Sequence, residues 1–427
     1  MILFLAAFLI GCGGNSGGTS AATPASVPPE DVWLQQNAHP ISTSDPANTD
    51  YSDLQAFGDA VGNARIVLLG EESHGSGTTF DMKTRLVKYL HEQKGFDVLI
   101  LETNFFVGNR IWQLAQTGQK VDDLAPNNIF YMYSKSAQGR NVLQYADSQR
   151  TTSNPLIVTA ADSAAVGATD SVTDFFPLLE SFLSGRSSPT LASSNWAIYK
   201  NLALNALFPY PPTLTNPPQN QIDAFNAVSD SLVGELCGPQ PDTYVFPNSP
   251  SFWCRTVKSL RAQADPTFNP SVISTRDIES AANAQWLLDH AYPGHKFIFW
   301  GAIIHVGRYD APWVASPSMA TEMALNYGSQ MYSVNMTASS GTDLDYVDLS
   351  TYTIPGDEQG SVEDVLHQVN QPVLFVDARN TSPPGSLFDM LAKNWGFTYV
   401  PNFLNSLGTA YDGLFYFQTN YPATMNR

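Results

Sequence analysis

The sequence predicts an α/β fold with a central, largely parallel sheet flanked by helices. Three apolar runs, at residues 66–70, 98–101 and 297–300, are each followed closely by ionisable side chains. A helical pattern separates the first two runs, and strand, helix, strand in succession is a βαβ unit with parallel strands. Open α/β folds place binding and catalytic groups at the carboxyl ends of such strands. We therefore expect the polar residues after the three runs to form one shared site.

The N-terminus is typical of an exported lipoprotein. Residues 2–10 are apolar but too few to span a bilayer, and Leu9-Ile10-Gly11-Cys12 resembles a bacterial lipobox. The resemblance implies a signal peptide at 1–11 and lipidation of the Cys12 thiol; a chance cysteine in a disordered start is the alternative. Residues 12–35 are rich in Gly, Ser and Thr and predict a flexible linker. Gly13 favours the outer membrane, so we expect a lipid-anchored protein of the cell envelope and periplasm.

The folded domain is expected over residues 36–427 and starts with a short helix at 53–61 and a strand at 65–69. Thr78 or Thr79 is the candidate N-cap of the next helix. Gly95 is its expected stop, since glycine readily adopts the left-handed conformation that ends helices.

This second helix carries an unexpected charge on its apolar face. Lys83 lies near the middle of the stripe and Arg85 near its edge; the stripe consists of Phe80, Met82, Leu86, Val87 and Leu90. A lysine in a core-facing stripe needs an anionic partner or a route to water. Glu71 and Glu72, at the end of the preceding strand, are the nearest candidates, and snorkelling along the helix is the alternative.

The later part of the chain predicts more strands and a helical insertion. Between about 164 and 290, helical stretches alternate with Pro-rich loops, which indicates an insertion that bears on the site. The remaining strands are expected at residues 156–162, 296–300, 330–335, 372–376 and 414–417.

Composition and cysteine content restrict the partners. A net charge of −18 argues against nucleic acid, which needs a basic surface. With 43% hydrophobic residues the chain can form a large core, and we expect a monomer that acts on a small-molecule substrate. Cys237 and Cys254 are expected to form a disulfide, because an exported chain rarely keeps two free thiols.

His74 is the candidate general base of the shared site. Nearby carboxylates fix the tautomer of a histidine, as a general base requires. A structural role remains the alternative for His74, for Glu102 as a turn cap, and for His305 as a packed residue. The sequence has neither a Gly-x-Ser-x-Gly elbow nor a His-Glu-x-x-His zinc motif, so it suggests neither a serine hydrolase nor a zincin.

The chain resembles the erythromycin esterase family over roughly residues 40–420. The ordered segments that carry the resemblance are Leu69-Gly70-Glu71-Glu72-Ser73-His74-Gly75, Leu101-Glu102, Arg276-Asp277 with Ser280 and Asn283, Lys296 to His305, and Tyr411-Asp412-Gly413. The first matches the family's Gly-Glu-x-x-His signature. Arg276 and Asp277 are interpreted as residues that brace the fold through a helix start and an ion pair.

The resemblance implies a helical subdomain over a deep cleft and hydrolysis of lactones without a metal or other cofactor. Carried over to this chain, His74 is the catalytic base that activates water, assisted by Glu71, Glu102, His305 and Lys83. We take Glu72 and Arg85 as candidate substrate contacts, and we expect no metal ligands.

One departure from the family pattern concerns its His-Asn-x-His segment, which is Ala302-Ile303-Ile304-His305 here. The first histidine and the asparagine are missing. The sequence therefore predicts a hydrolase of an ester or related bond in a small or medium-sized molecule, weak or inactive on macrolides. A metal- or haem-binding surface lipoprotein, or a protein like the metal-dependent peptidases, remains the alternative on the same scaffold.

Overall fold

The computed structural model describes residues 26–164, 171–238, 242–308, 316–390 and 407–426. The predicted signal peptide, Cys12 and most of the predicted linker lie outside these residues. Within them, no helix has the length and apolarity needed to cross a membrane.

One mixed sheet organises the fold. The strands in the described part of the chain are β1 (Ala38–Pro40), β2 (Ile66–Glu71), β3 (Val98–Asn104), β4 (Ile157–Asp162), β5 (Phe297–Ala302), β6 (Met331–Leu344), β7 (Thr351–Thr353), β8 (Val373–Asp377) and β9 (Gly413–Asn420). Their order is β1-β8-β9-β6-β2-β5-β3-β4, and β7 pairs with β6. All neighbours from β9 to β4 are parallel, whereas β1–β8, β8–β9 and β6–β7 are antiparallel. The predicted α/β fold with a largely parallel sheet is confirmed.

Helices pack against the strands and form the segment between β4 and β5. In the described ranges they are α1 (Pro29–Asn37), α2 (Gln55–Val61), α3 (Gly77–Lys94), α4 (Phe105–Gln116), α5 (Val121–Leu124), α6 (Tyr131–Lys135), α7 (Ala137–Gln149), α8 (Phe175–Gly185), α9 (Trp196–Leu202), α10 (Gln219–Leu236), α11 (Pro250–Phe268), α12 (Arg276–Trp286), α13 (Ile303–Val306), α14 (Met319–Tyr327) and α15 (Val362–His367). Between β4 and β5 the described residues contain α8 to α12 and no strand. Whether they form a separate subdomain stays a prediction.

The start of the fold differs from the sequence-based expectation. Helix α1 begins inside the segment predicted as a linker, and its Leu34 is completely buried. A buried leucine needs a packed environment, so ordered structure begins before residue 36.

Helix α3 also begins earlier than predicted. Its N-cap is Ser76, whose hydroxyl accepts a hydrogen bond from the Thr79 amide at 3.1 Å. Gly77 can follow because it has no side chain: a Cβ there would lie 2.7 Å from the Pro422 carbonyl oxygen. The expected stop at Gly95 is confirmed, with φ of 72°.

The predicted disulfide is present between Cys237 and Cys254, with Cα atoms 5.1 Å apart. It joins the C-terminal end of α10 to the buried face of α11. The bond therefore ties together two helices of the segment between β4 and β5.

Candidate active site

The turn after β2 holds a carboxylate and an imidazole in direct contact. Glu71 is the last residue of β2, and its Oε1 lies 2.8 Å from His74 Nδ1. The turn packs tightly on β6 because Gly75 lacks a side chain: a Cβ there would lie 1.7 Å from the Leu344 carbonyl oxygen. This close approach holds the backbone of the turn against β6.

Lys83 of α3 neutralises this carboxylate inside the protein. Its ammonium pairs with Glu71 Oε2 and donates a hydrogen bond to the Gly301 carbonyl at 3.0 Å, and both side chains are fully buried. Burial raises the pKa of Glu71, but the Lys83 charge and the His74 hydrogen bond outweigh it, so the net pKa is lowered. The prediction that Lys83 has an anionic partner is confirmed, and the partner is Glu71.

An anionic Glu71 decides which nitrogen of His74 carries the proton. A carboxylate accepts hydrogen bonds and cannot donate one, so the Nδ1 that faces Glu71 is the protonated nitrogen. In that tautomer Nε2 is the nitrogen able to accept a proton. The His74 side chain is 9% exposed, whereas Glu71 is fully buried, so His74 is the member of this pair that can meet a substrate.

Glu102 of β3 forms the second half of the site. Its Oε2 accepts a hydrogen bond from the Ala302 amide at 2.7 Å, and its Oε1 lies 3.2 Å from His305 Nε2. The carboxylate fits beside β5 because Gly301 has no side chain; a Cβ there would lie 3.0 Å from Glu102 Oε2. Burial alone would raise the pKa of Glu102. The charge of His305 outweighs this effect and lowers the pKa below its usual value, so Glu102 is an anion.

Two carboxylates hold His305 between them. Its Nδ1 lies 2.8 Å and 2.9 Å from the oxygens of Asp277, on the side opposite to Glu102. Burial lowers the pKa of His305, but the charges of Asp277 and Glu102 raise it to about 10. His305 is therefore an imidazolium at neutral pH, and a ring with both nitrogens protonated cannot act as a base.

The Tyr133 hydroxyl joins the two halves. It donates a hydrogen bond to Glu71 Oε1 at 2.7 Å and lies 3.3 Å from His74 Nδ1 and 3.5 Å from Glu102 Oε2. Tyr133 is fully buried. The structure thus brings the predicted residues Glu71, His74, Lys83, Glu102 and His305 into one network at the carboxyl ends of β2, β5 and β3.

Sequence reasoning missed two members of this network. Tyr133 lies on α6 in a stretch without a recognised motif, so no pattern singled it out. Asp277 was interpreted only as a brace, yet it is a partner of His305. Its neighbour Arg276 does form the expected ion pair, with Asp162, and also lies 3.5 Å from Glu102. The signal for Asp277 was its place beside Arg276 in a segment already matched to the family.

Aromatic rings lie against the His74 imidazole. Their centroids lie 4.7 Å (Phe130), 5.0 Å (Tyr346) and 5.9 Å (Tyr133) from that of His74, all in edge-to-face geometry. These ring edges pack against the imidazole and restrict its orientation.

The structure does not bring Arg85 to this site. Its buried guanidinium donates hydrogen bonds to Asp53 and to the carbonyls of Thr43 and Asp50, so it holds the 43–53 loop. Arg85 lies two positions after Lys83, which corresponds to a rotation of about 200° around the helix axis, so Arg85 faces away from Lys83. The expected substrate contact is corrected to a structural role.

Glu72 also lies apart from the network. It follows Glu71 directly, and consecutive residues at a strand end point to opposite faces. Its carboxyl is buried beside Asn335, which donates a hydrogen bond to it. Burial raises the pKa of Glu72 to about 8; the hydrogen bond from Asn335 opposes this rise, and the charge of Glu363 adds a smaller increase. A buried, neutral Glu72 does not fit the expected substrate contact.

The described residues contain no group of three or more His, Cys, Asp or Glu side chains arranged to hold a metal ion.

Known proteins resemble this chain in sequence and in fold. The family model described as erythromycin esterase matches residues 253–420, which include Asp277 and His305. A Bacillus subtilis (strain 168) protein named "Putative hydrolase YbfO" is 26% identical over 431 residues, covering 92% of this chain and 92% of that protein.

Solved structures share the fold. A Bacillus cereus protein superposes with a TM-score of 0.75 at 20% identity, covering 93% of this chain and 98% of that one. A mutant of the erythromycin esterase EreC, in its open conformation, superposes with a TM-score of 0.67 at 14% identity, covering 91% and 99%. At these identities the likeness concerns the fold.

The buried Glu72 generates a prediction about pH and stability. Its folded pKa lies above the unfolded value, so between about pH 4.5 and 8 the unfolded chain releases a proton that the folded chain retains. Stability is therefore lost over this window as pH rises. Glu72→Gln removes the titration and should raise the free energy of unfolding at about pH 9 by an amount on the order of a few kcal/mol, with little effect at about pH 4. Urea unfolding at both pH values measures this.

The control for this experiment is Glu358→Gln, since Glu358 is exposed. It should leave the pH dependence unchanged. A Glu72→Gln variant whose stability follows the unsubstituted protein at both pH values would contradict the assignment of Glu72 as a buried neutral acid.

Proposed function

We propose that this chain, which belongs to the erythromycin esterase-like family, is a hydrolase that uses water activated by His74 to cleave an ester or related bond. The substrate would be a small or medium-sized molecule. The observation that carries the proposal is the contact between His74 Nδ1 and the buried, anionic Glu71. It leaves Nε2 to accept a proton from water while the water oxygen attacks the carbonyl carbon. The same nitrogen can then return the proton to the leaving alcohol.

His305 would act by holding Glu102 in place. Its Nδ1 faces Asp277 and its Nε2 faces Glu102, so neither ring N–H is directed at a developing oxyanion and the two carboxylates offset its positive charge. His305 is held as an imidazolium by Asp277 and Glu102. Lys83 is fully buried, so its contribution is to keep Glu71 ionised and in place, without contact with the substrate.

The residue at position 302 bears on which esters are accepted. Ala302 is in register with Glu71 on the neighbouring parallel strand, so the two side chains point to the same face. A histidine at this position would therefore project beside Glu71 and His74. The methyl group of Ala302 can neither orient water nor donate to an oxyanion, which supports low activity on macrolides.

The lipid anchor at Cys12 remains part of the proposal, because the apolar run and lipobox-like segment precede a Gly/Ser/Thr-rich stretch. It would hold the domain on the outer membrane, facing small molecules of the periplasm.

The role of His74 is tested with a panel of esters of varied acyl and alcohol size. His74→Ala should lower kcat/KM on the best substrate by roughly 100-fold or more, because the base is lost. His295→Ala is the matched control: its Nδ1 also lies 2.7 Å from a carboxylate, that of Asp97, but next to the amino end of β5. Full activity in a folded His74→Ala protein would remove His74 as the base.

The role of position 302 is tested by mass spectrometry of erythromycin ring opening. The unsubstituted protein should act weakly or not at all, since one missing donor typically costs about a hundredfold or more in rate. Ala302→His combined with Ile303→Asn should increase ring opening. Rapid hydrolysis by the unsubstituted protein would show that the alanine does not limit this reaction.

The anchor is tested by growing cells with a labelled fatty acid. Cys12→Ser should abolish the label and release the protein from the membrane fraction. Gly13→Asp is the comparison variant, which should keep the label but move the protein toward the inner membrane. Label retained by Cys12→Ser would refute lipidation at this residue.

A further inference from the structure

We propose that Tyr133 is a positioning residue of this site, whose hydroxyl shares the Glu71 carboxylate with His74 and so keeps the His74 ring singly protonated, with its proton on Nδ1. The inference rests on the proposed hydrolase function, because only a base needs this protonation state. It assigns to Tyr133 an effect on His74 that passes through Glu71.

Three donors share the buried carboxylate of Glu71. Tyr133 and His74 both reach Oε1, at 2.7 Å and 2.8 Å, and Lys83 reaches Oε2. A phenol has a single proton to donate. The distance to Glu71 is 2.7 Å and that to Glu102 is 3.5 Å, so the proton goes to Glu71.

Because Tyr133 and His74 share Glu71 Oε1, the phenol weakens the pull of this oxygen on His74. An oxygen that already accepts one hydrogen bond attracts a second donor less strongly. Without the phenol, Oε1 would face His74 alone and would stabilise the doubly protonated, cationic ring more. A cationic ring has no free lone pair for a water proton, so the base would be lost at neutral pH.

Among the described residues, the other groups around His74 act on it differently. Glu71 belongs to its own turn, and Glu102 faces it from β3 as a second anion that also favours a cationic ring. Tyr346, which follows β6, contributes a ring edge at 5.0 Å from the imidazole. Lys83 acts on the far oxygen of Glu71, so Tyr133 is the neutral donor on the oxygen that His74 uses.

The experiment compares Tyr133→Phe with Tyr145→Phe. Tyr145 offers a matched control because its hydroxyl lies 2.7 Å from His91 Nδ1 and donates to Glu92 at 3.0 Å, in a similar tyrosine, histidine and glutamate set outside the site. Both variants remove a hydroxyl and keep the ring. Nitrogen-15 NMR of the histidine rings in the substrate-free protein, with His74 assigned by substitution, gives the protonation state directly.

We expect the unsubstituted protein and Tyr145→Phe to show a singly protonated His74 at neutral pH. Tyr133→Phe should increase the doubly protonated fraction and lower kcat roughly tenfold at neutral pH with little change in KM, the loss recovering as pH rises. A hydroxyl that only supports packing would give no recovery. An unchanged His74 spectrum in folded Tyr133→Phe would overturn the proposal.

Two further arms keep the outcomes distinct. If no ester is cleaved by the unsubstituted protein, the proposed hydrolase function fails, while the NMR comparison still decides the effect of Tyr133 on His74. If Tyr133→Phe does not fold, 3-fluorotyrosine at position 133 keeps the hydroxyl and makes it a stronger donor. At a pH low enough for part of the unsubstituted protein to carry a doubly protonated His74, that substitution should decrease the doubly protonated fraction, and an increase or no change would overturn the proposal.

Discussion

The buried ion pair between Lys83 and Glu71 is the interaction on which the rest of the site depends. Taking two charges out of water is costly, and the cost is offset only where geometry and hydrogen bonding are complete. Lys83 also donates to Gly301, and Glu71 also accepts from Tyr133 and His74. Removal of one partner would leave an uncompensated buried charge, which typically costs 3–5 kcal/mol. The pair therefore links β2, α3 and β5 at the point where the imidazole is held.

The sheet topology explains why the two halves meet. From β2 the sheet extends in both directions, with β5, β3 and β4 on one side and β6, β9, β8 and β1 on the other. In open α/β sheets, ligands bind outside the carboxyl ends of strands where the winding direction changes. Glu71 of β2 and Glu102 of β3 lie near the carboxyl ends of their strands, close to this point. His74 contacts one carboxylate there, that of Glu71, whereas His305 contacts two, those of Glu102 and Asp277. His305 is therefore held as a cation, and the role of base falls to His74.

Local patterns predicted a large part of this arrangement. The seven strands predicted from apolar runs are all present, because strands buried on both faces consist of nearly continuous apolar residues. The charge in the apolar stripe of α3 correctly indicated an anionic partner for Lys83. Arg85 and Glu72 were grouped with the site because they are close in sequence. Helix and strand geometry turns each of them to a different face, and both are satisfied by residues elsewhere in the fold.

The sequence by itself determined the fold class, the strand ends that carry Glu71, His74 and Glu102, and the pairing of Cys237 with Cys254. The first two follow from residue type and short-range spacing, and the disulfide follows from the expected export of a chain with two remaining cysteines. Only the tertiary structure decided that Tyr133 touches both carboxylates and that Asp277 and Glu102 enclose His305. These contacts join residues far apart in the chain, and their existence depends on strand order and helix packing to within an ångström. A hydrogen bond requires that accuracy, and hydrophobic periodicity carries no information about it.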